Sequence, residues 1–204
     1  MLDKNLLLVD IGGTNIRYAY SNIGDSDFVS ENKAELDSLN DFDNLISMLL
    51  ADSCVKNIVF SVAGPKVNNS IKMTNRNFEI DADEIRKKFN LESCYLLNDW
   101  ESIGYSIRTF SENDFDNFRD GEPFNDTFLV IGPGTGLGAS VISGNNVIAT
   151  EIGNTNLGLS ALKSLLEINS DEFNVLEDVI SGTGISRMFE TKTGNKVKSE
   201  EIFS

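Results

Sequence analysis

Histidine is absent from the 204-residue chain. That gap removes the serine–histidine triad, histidine-ligated zinc and the imidazole proton shuttle, and leaves a carboxylate as the candidate general base. Cysteines number only two, Cys54 and Cys94, each beside apolar sequence. Two such residues do not make a disulfide framework and read as buried free thiols of a reducing compartment. Long apolar runs are missing as well: Leu6-Leu7-Leu8-Val9 ends at Asp10, and no stretch approaches a membrane span. A cytoplasmic protein with no membrane partner is expected. Positive charge is scarce, with 17 Lys and Arg against 32 Asp and Glu for a net charge of −15. Such a chain repels phosphate backbones, which argues against nucleic-acid binding. With 40% hydrophobic and 24% charged residues and only three prolines, the composition is globular, and the length suits one generous domain or two small ones.

Strand and helix patterns alternate from the start. Leu6 to Val9 reads as a buried strand and Ile16 to Tyr20 as a second after a tight turn. Asp41 is placed to cap a helix whose apolar residues Phe42, Leu45, Ile46, Leu49 and Leu50 follow helical spacing. Ile58 to Val62 is a further strand, closed by Gly64-Pro65; Asp81 opens a helix with Glu84 as a capping-box variant. Tyr95 to Leu97 is a short strand, and Asp99 starts a helix running to about Ile107. Between Ser111 and Asp126 acidic residues crowd together with Phe115, Phe118 and Phe124, which reads as an exposed connection pinned by aromatics. A domain junction is expected nearby, dividing residues 1–109 from 110–204. Beyond it come strands at Phe128 to Ile131, Ala139 to Ile142 and Val147 to Ala149. Helical patterns follow on Leu162, Leu165 and Leu166, on Leu176, Val179 and Ile180, and from Ile185 to Glu190. The class is mixed α/β.

One echo stands out. Leu6 to Asn15 is a strand, a glycine turn and a threonine followed by another strand, and Phe128 to Gly138 repeats that plan. Aligning Gly13-Thr14 with Gly134-Thr135 puts Ile131 where Asp10 stands. Duplicated domains facing a shared ligand are expected. Glycine lets main-chain N–H groups approach an anion closely, threonine adds a hydroxyl, and Asp10 suits a hydrated Mg²⁺ bound to a phosphate. The alternative is a pair of ordinary hairpins whose glycines only satisfy turn geometry. Neither turn is a Walker A loop or a dinucleotide fingerprint, because strand and not helix follows. Asp99, at a strand–helix junction, can take a proton from a substrate hydroxyl or merely cap its helix. Glu151 and Glu177 are equally open taken singly.

Taken in order, these segments resemble the bacterial ATP-dependent glucokinases, within the actin-like (ribonuclease H-like) group of sugar kinases. Asp10-Ile-Gly-Gly-Thr-Asn-Ile-Arg17 resembles the family's first phosphate motif, and Gly132-Pro-Gly-Thr-Gly-Leu-Gly138 its second. Ala63-Gly64-Pro65, Met73-Thr74-Asn75 and Leu97-Asn98-Asp99 resemble segments of its small domain. Glu151-Ile-Gly153 and Glu177-Asp-Val-Ile-Ser-Gly182 resemble sugar-binding segments of its large one. The resemblance implies duplicated α/β domains, the second incomplete, and transfer of the ATP γ-phosphate to the 6-hydroxyl of glucose or a related hexose. It implies Asp99 as base and sugar contacts from Asn98, Asp99, Glu151, Asn154 and Glu177. Gly12, Gly13, Thr14, Asn15, Gly134, Thr135 and Gly136 would then lie on the ATP phosphates, Asp10 on Mg²⁺, and the protein would form a homodimer. Where the family has a sugar-contacting histidine, this chain has Asn154, which donates and accepts but is shorter and uncharged. The family also continues past the matched segments, with an adenosine-binding segment and a final helix. Two other readings stay open: a sugar-binding or regulatory relic without catalysis, and an ATP-hydrolysing actin-like protein.

Overall fold

The computed structural model describes residues 3–12, 15–35, 39–51, 53–73, 79–122, 125–169 and 171–202. Its internal packing divides the chain into two compact units, residues 1–102 and 103–204.

In the first unit a five-stranded sheet has the order β3-β2-β1-β4-β8. Its strands are β1 (Leu6–Ile11), β2 (Asn15–Ser21), β3 (Val29–Glu35), β4 (Asn57–Val62) and β8 (Ser93–Asn98). Strands β1 and β2 form an antiparallel hairpin, whereas β4 and β8 run parallel to β1. Helices α1 (Leu39–Ala51) and α2 (Ala82–Lys88) supply the crossovers, and the three short strands β5 (Lys66–Val67), β6 (Ser70–Lys72) and β7 (Glu79–Asp81) form a separate small sheet. Helix α1 begins at Leu39, ahead of the Asp41 cap expected from sequence. Helix α2 is capped as expected, with the Asp81 carboxylate accepting from the Glu84 N–H at 2.9 Å.

Alternation along the strands sorts the side chains. Leu7, Val9 and Ile11 point to one face, where Phe42 and Ile46 of α1, Phe60 of β4 and Leu96 of β8 complete a closed core. Leu8 and Asp10 point to the other, so the uniform run Leu6 to Val9 is only half core. That second face is open. It carries a cavity of about 310 Å³ whose lining includes Leu8, Ala19, Val59 and Leu97 together with Asp10 and Ser61. Strand β3 was missed by the pattern because its sequence, Val-Ser-Glu-Asn-Lys-Ala-Glu, is the charged type that guards an exposed sheet edge. Cys94 is buried in the core, and burial, with Asp83 adding to it, pushes its thiol up to about 12. Cys54 is exposed, against expectation, because it lies in the connection after α1 and not on a strand.

Helix α3 (Asp99–Ser106) spans the division between the units, ahead of the expected junction. In the acidic connection Phe115 packs on the Phe110 ring at 5.7 Å, but Phe118 is fully exposed and pins nothing; Phe124 lies outside the described residues. The second unit then repeats the hairpin plan: β9 (Thr127–Pro133), β10 (Leu137–Ser143) and β11 (Asn146–Thr150) form an antiparallel sheet of order β11-β10-β9. Helices α4 (Leu159–Leu165), α5 (Gly182–Thr193) and α6 (Ser199–Ile202) follow. Leu176, Val179 and Ile180 do not form the helix their spacing suggests. Residues Leu176–Asp178 make a single 3₁₀ turn, and α5 starts afresh from its cap Ser181.

Comparison of the two sheets shows what the second unit lacks. Strand β1 has β4 and then β8 beside it, whereas its counterpart β9 has a free edge among the described residues. Phe128, Leu129 and Ile131 are accordingly 54%, 55% and 48% exposed. Strand β9 carries no charged residue to discourage edge pairing. The 204-residue chain is therefore expected to self-associate, and Leu129→Lys to raise the concentration at which it stays monodisperse at unchanged melting temperature. Light scattering coupled to gel filtration checks this.

Candidate active site

Parallel strands deliver the first group of residues. Asp10 of β1, Ser61 of β4 and Leu97 of β8 lie in register, so Asn98 and Asp99 leave the sheet at the same end as Asp10. Carboxyl ends of parallel strands are where α/β sheets bind ligands. The exposed Asp10 carboxylate accepts from the Ser61 hydroxyl at 3.0 Å, a partner with no sequence signal. The turn after β1 is closed by the Gly12 N–H donating to the Asn15 carbonyl at 3.0 Å. Gly13 and Thr14, and likewise Thr74 and Asn75, lie outside the described residues.

The Asn98–Asp99 junction is built around a reciprocal cap. Asn98 is buried, and its Oδ1 accepts from the N–H groups of Trp100 at 2.9 Å and Glu101 at 3.3 Å. Glu101 Oε2 in turn accepts from the Asn98 N–H at 3.2 Å, completing a capping box. The Asn98 Nδ2 donates to the Gly64 carbonyl at 2.9 Å. Gly64 has φ +146°, a conformation that excludes a side chain. Lys66 Nζ reaches Glu101 Oε2 at 3.4 Å. Capping thus falls to Asn98, and Asp99 becomes the first helical residue, half-buried, with its Oδ1 accepting from the Trp100 N–H at 3.0 Å. Asn98, expected to touch substrate, has its amide committed to main chain except for one Nδ2 hydrogen. Glu101 has a signal in the sequence, since Asn-Asp-Trp-Glu is a capping-box spacing.

The second unit brings together the other expected residues. Its glycine turn 134–136 is closed by the Gly134 N–H donating to the Gly136 carbonyl at 2.9 Å. Next in the chain, the Leu137 N–H donates to Glu177 Oε2 at 2.9 Å. A Cβ on Gly136 would meet that same carboxylate and push it aside, so glycine lets Glu177 come close to the turn. The start of α5 holds the other side of the turn: the Gly182 N–H donates to the Gly134 carbonyl at 2.8 Å and the Thr183 hydroxyl to the Thr135 carbonyl at 2.9 Å. The exposed Glu151 precedes the 3₁₀ turn Ile152–Asn154 and the exposed Asn154 ends it, with Asn154 Nδ2 donating to Glu151 Oε2 at 3.1 Å. The Leu176 N–H donates to the Thr155 carbonyl at 2.8 Å, which ties this turn to the one bearing Glu177. Sequence gave no hint of Thr183, whose contact spans 48 residues.

Comparison with known proteins decides the family. The glucokinase family model matches residues 7–202. The chain belongs to the glucokinase family. A curated glucokinase of Nostoc punctiforme is 28% identical over 212 residues, covering 96% of this chain and 62% of that protein. The crystal structure of a glucokinase from an Antarctic psychrotroph superposes with a TM-score of 0.70 at 24% identity, over 97% of this chain and 67% of that one. A ROK family glucokinase from Streptomyces griseus, solved in complex with glucose and AMPPNP, gives a TM-score of 0.60 at 19% identity, over 93% and 62%. The fold is that of the actin-like sugar kinases with the second domain incomplete, and the chain spans about 62% of its Nostoc relative's length.

The donors at the end of β1 fit the hydrated Mg²⁺ expected from the sequence. Mg²⁺ takes one or two carboxylates and otherwise water and substrate phosphate, and Asp10 with the Ser61 hydroxyl offers that. Among the described residues no cluster of three or more acidic or cysteine side chains offers an all-protein cage.

Asp178 anchors the Glu177 turn. Burial alone would raise its pKa, but the N–H groups of Asn174 and Val175, with Arg187 at 3.0 Å, outweigh that and hold the carboxyl below its usual value. A carboxylate depressed in the folded state stabilises above its unfolded pKa, and the stabilisation is lost as pH falls through the folded value. Asp178→Asn is therefore expected to cost about 1.5–3 kcal/mol at neutral pH. The difference from wild type should shrink steadily once pH drops below about 4, as denaturation curves across pH would show.

Proposed function

We propose that the protein is a hexose kinase that transfers the γ-phosphate of ATP to the 6-hydroxyl of glucose. Asp99 accepts the proton of that hydroxyl as its oxygen attacks the γ-phosphorus, and the bond to the β,γ-bridging oxygen breaks to release ADP. Asn98, through its remaining Nδ2 hydrogen, and Glu151, Asn154 and Glu177 pair with sugar hydroxyls. Gly12, Gly13, Thr14 and Asn15, with Gly134, Thr135 and Gly136, bear on the phosphates. Asp10 would hold Mg²⁺, which when bound would supply neutralisation of phosphate charge. Phosphoryl transfer depends on positioning and charge neutralisation more than on covalent help, which suits a site of backbone amides and carboxylates.

The observation that supports the reading is the bond between the Leu137 N–H and Glu177, which holds the carboxylate we assign to the sugar against the second glycine turn. Hydroxyl-rich substrates need such paired polar groups, and an unpaired one discriminates strongly among sugars. Asn154 keeps both a donor and an acceptor where the resemblance led us to expect histidine, so its sugar contact carries no charge that varies with pH. The reaction belongs in the cytoplasm as the first step of glycolysis, with a homodimer as the working form. Sugar binding without phosphorylation is the alternative for a stretch that spans 62% of its Nostoc relative.

A coupled assay of ADP release over a panel of hexoses tests the proposal on the full gene product. Glucose-dependent turnover is expected, falling at least 10²-fold in Asp99→Ala. Undiminished turnover in that variant, or none with any hexose, would contradict it.

A further inference from the structure

We propose that Glu101, held by Lys66, is a positioning residue for Asp99. The inference rests on the reading of Asp99 as the base and goes beyond it. A first-turn carboxylate in an eight-residue helix has a direction only if that turn is fixed, and two features fix it. The capping box joins Asn98 and Glu101 in both directions, so the residue between strand and helix cannot rotate without breaking bonds at both ends. The same Glu101 oxygen that accepts the Asn98 N–H also meets Lys66 Nζ, which belongs to β5, far from α3 in sequence. Lys66 follows Gly64-Pro65, and the Gly64 carbonyl accepts from Asn98 Nδ2. The 64–66 segment therefore grips the junction twice, by one neutral bond and one charged one.

The charged contact is not an ordinary surface pair. The Glu101 side chain is 12% exposed and Lys66 27%, against 52% for the lysine of the Lys88–Asp43 pair at the surface. A carboxylate so enclosed needs its partners, and here they are one main-chain N–H and one ammonium. Removing Glu101 leaves the Asn98 N–H without its acceptor and Lys66 without its counter-ion. The first loss falls on the residue before Asp99, and the second loosens the 64–66 segment that grips it through the Gly64 carbonyl.

The test compares Glu101→Ala, Glu101→Gln and Lys66→Met with Asp99→Asn in the full gene product. Glu101→Ala is expected to lower kcat with glucose about ten- to a hundredfold, leaving the KM for ATP unchanged, because a misaimed base costs rate and not nucleotide binding. Glu101→Gln keeps an acceptor for the Asn98 N–H and should recover most of that loss. Lys66→Met should lose less than Glu101→Ala and nothing further in the Glu101→Gln background. Full turnover in Glu101→Ala, with Asp99→Asn inactive, would overturn the positioning role and leave the base in place. If Asp99→Asn stays active the base reading fails instead, and amide exchange then decides. Exchange at Asn98 should quicken in Glu101→Ala, but not in Glu101→Gln, with the β1–β2 hairpin unaffected. Unchanged exchange at Asn98 overturns the proposal.

Discussion

At the end of β8 the chain must leave a buried sheet and begin a helix within one residue, and the amide groups that this change exposes need acceptors. Asn98 and Glu101 meet that need from within the sequence. Because Asn98 takes the cap, Asp99 becomes the first residue of α3. The rest of the first unit is arranged behind this point. Parallel pairing of β1, β4 and β8 puts Asp10 at the same sheet end, and the core of Leu7, Ile11, Phe60 and Leu96 keeps those strands from sliding.

The second unit solves a related problem with different residues. In our proposal its glycine turn faces the ATP phosphates, so the turn must be held in shape when no ligand is present. Carbonyls of Gly134 and Thr135 are taken by the start of α5, and the Leu137 N–H by Glu177. Glu177 is itself placed by a one-turn segment that Asp178 fastens to Asn174, Val175 and Arg187. Position is thus passed from a structural carboxylate to its sequence neighbour, as it passes from Glu101 to Asp99 in our proposal.

Local features were the most legible in the sequence. The Asp81 cap, the two glycine hairpins and the helix beginning at Asp99 each rest on a few adjacent residues, and the structure has them where the spacing placed them. Strand β3 escaped because an edge strand wants charge where a core strand wants alternation, and β5 to β7 because two or three residues carry no period. Cys54 was misplaced since an apolar neighbour does not decide burial in a connection. The partners of the candidate site, Ser61 with Asp10, Thr183 with Thr135 and Glu177 with Leu137, are bonds across 40 residues or more. Only folding brings them together, so the residue types were readable and their partners were not.

Glu177, fixed to the main chain of the second glycine turn, is in our proposal a sugar ligand and not a purely structural acid. Calorimetric titration of glucose into wild type and Glu177→Gln tests it directly, since glutamine can still accept the Leu137 N–H while losing the charge. Saturable binding at one site per chain is expected, weakened at least tenfold, about 1.4 kcal/mol, in the variant. Equal affinity in the two proteins, or no binding of glucose to wild type, would contradict it.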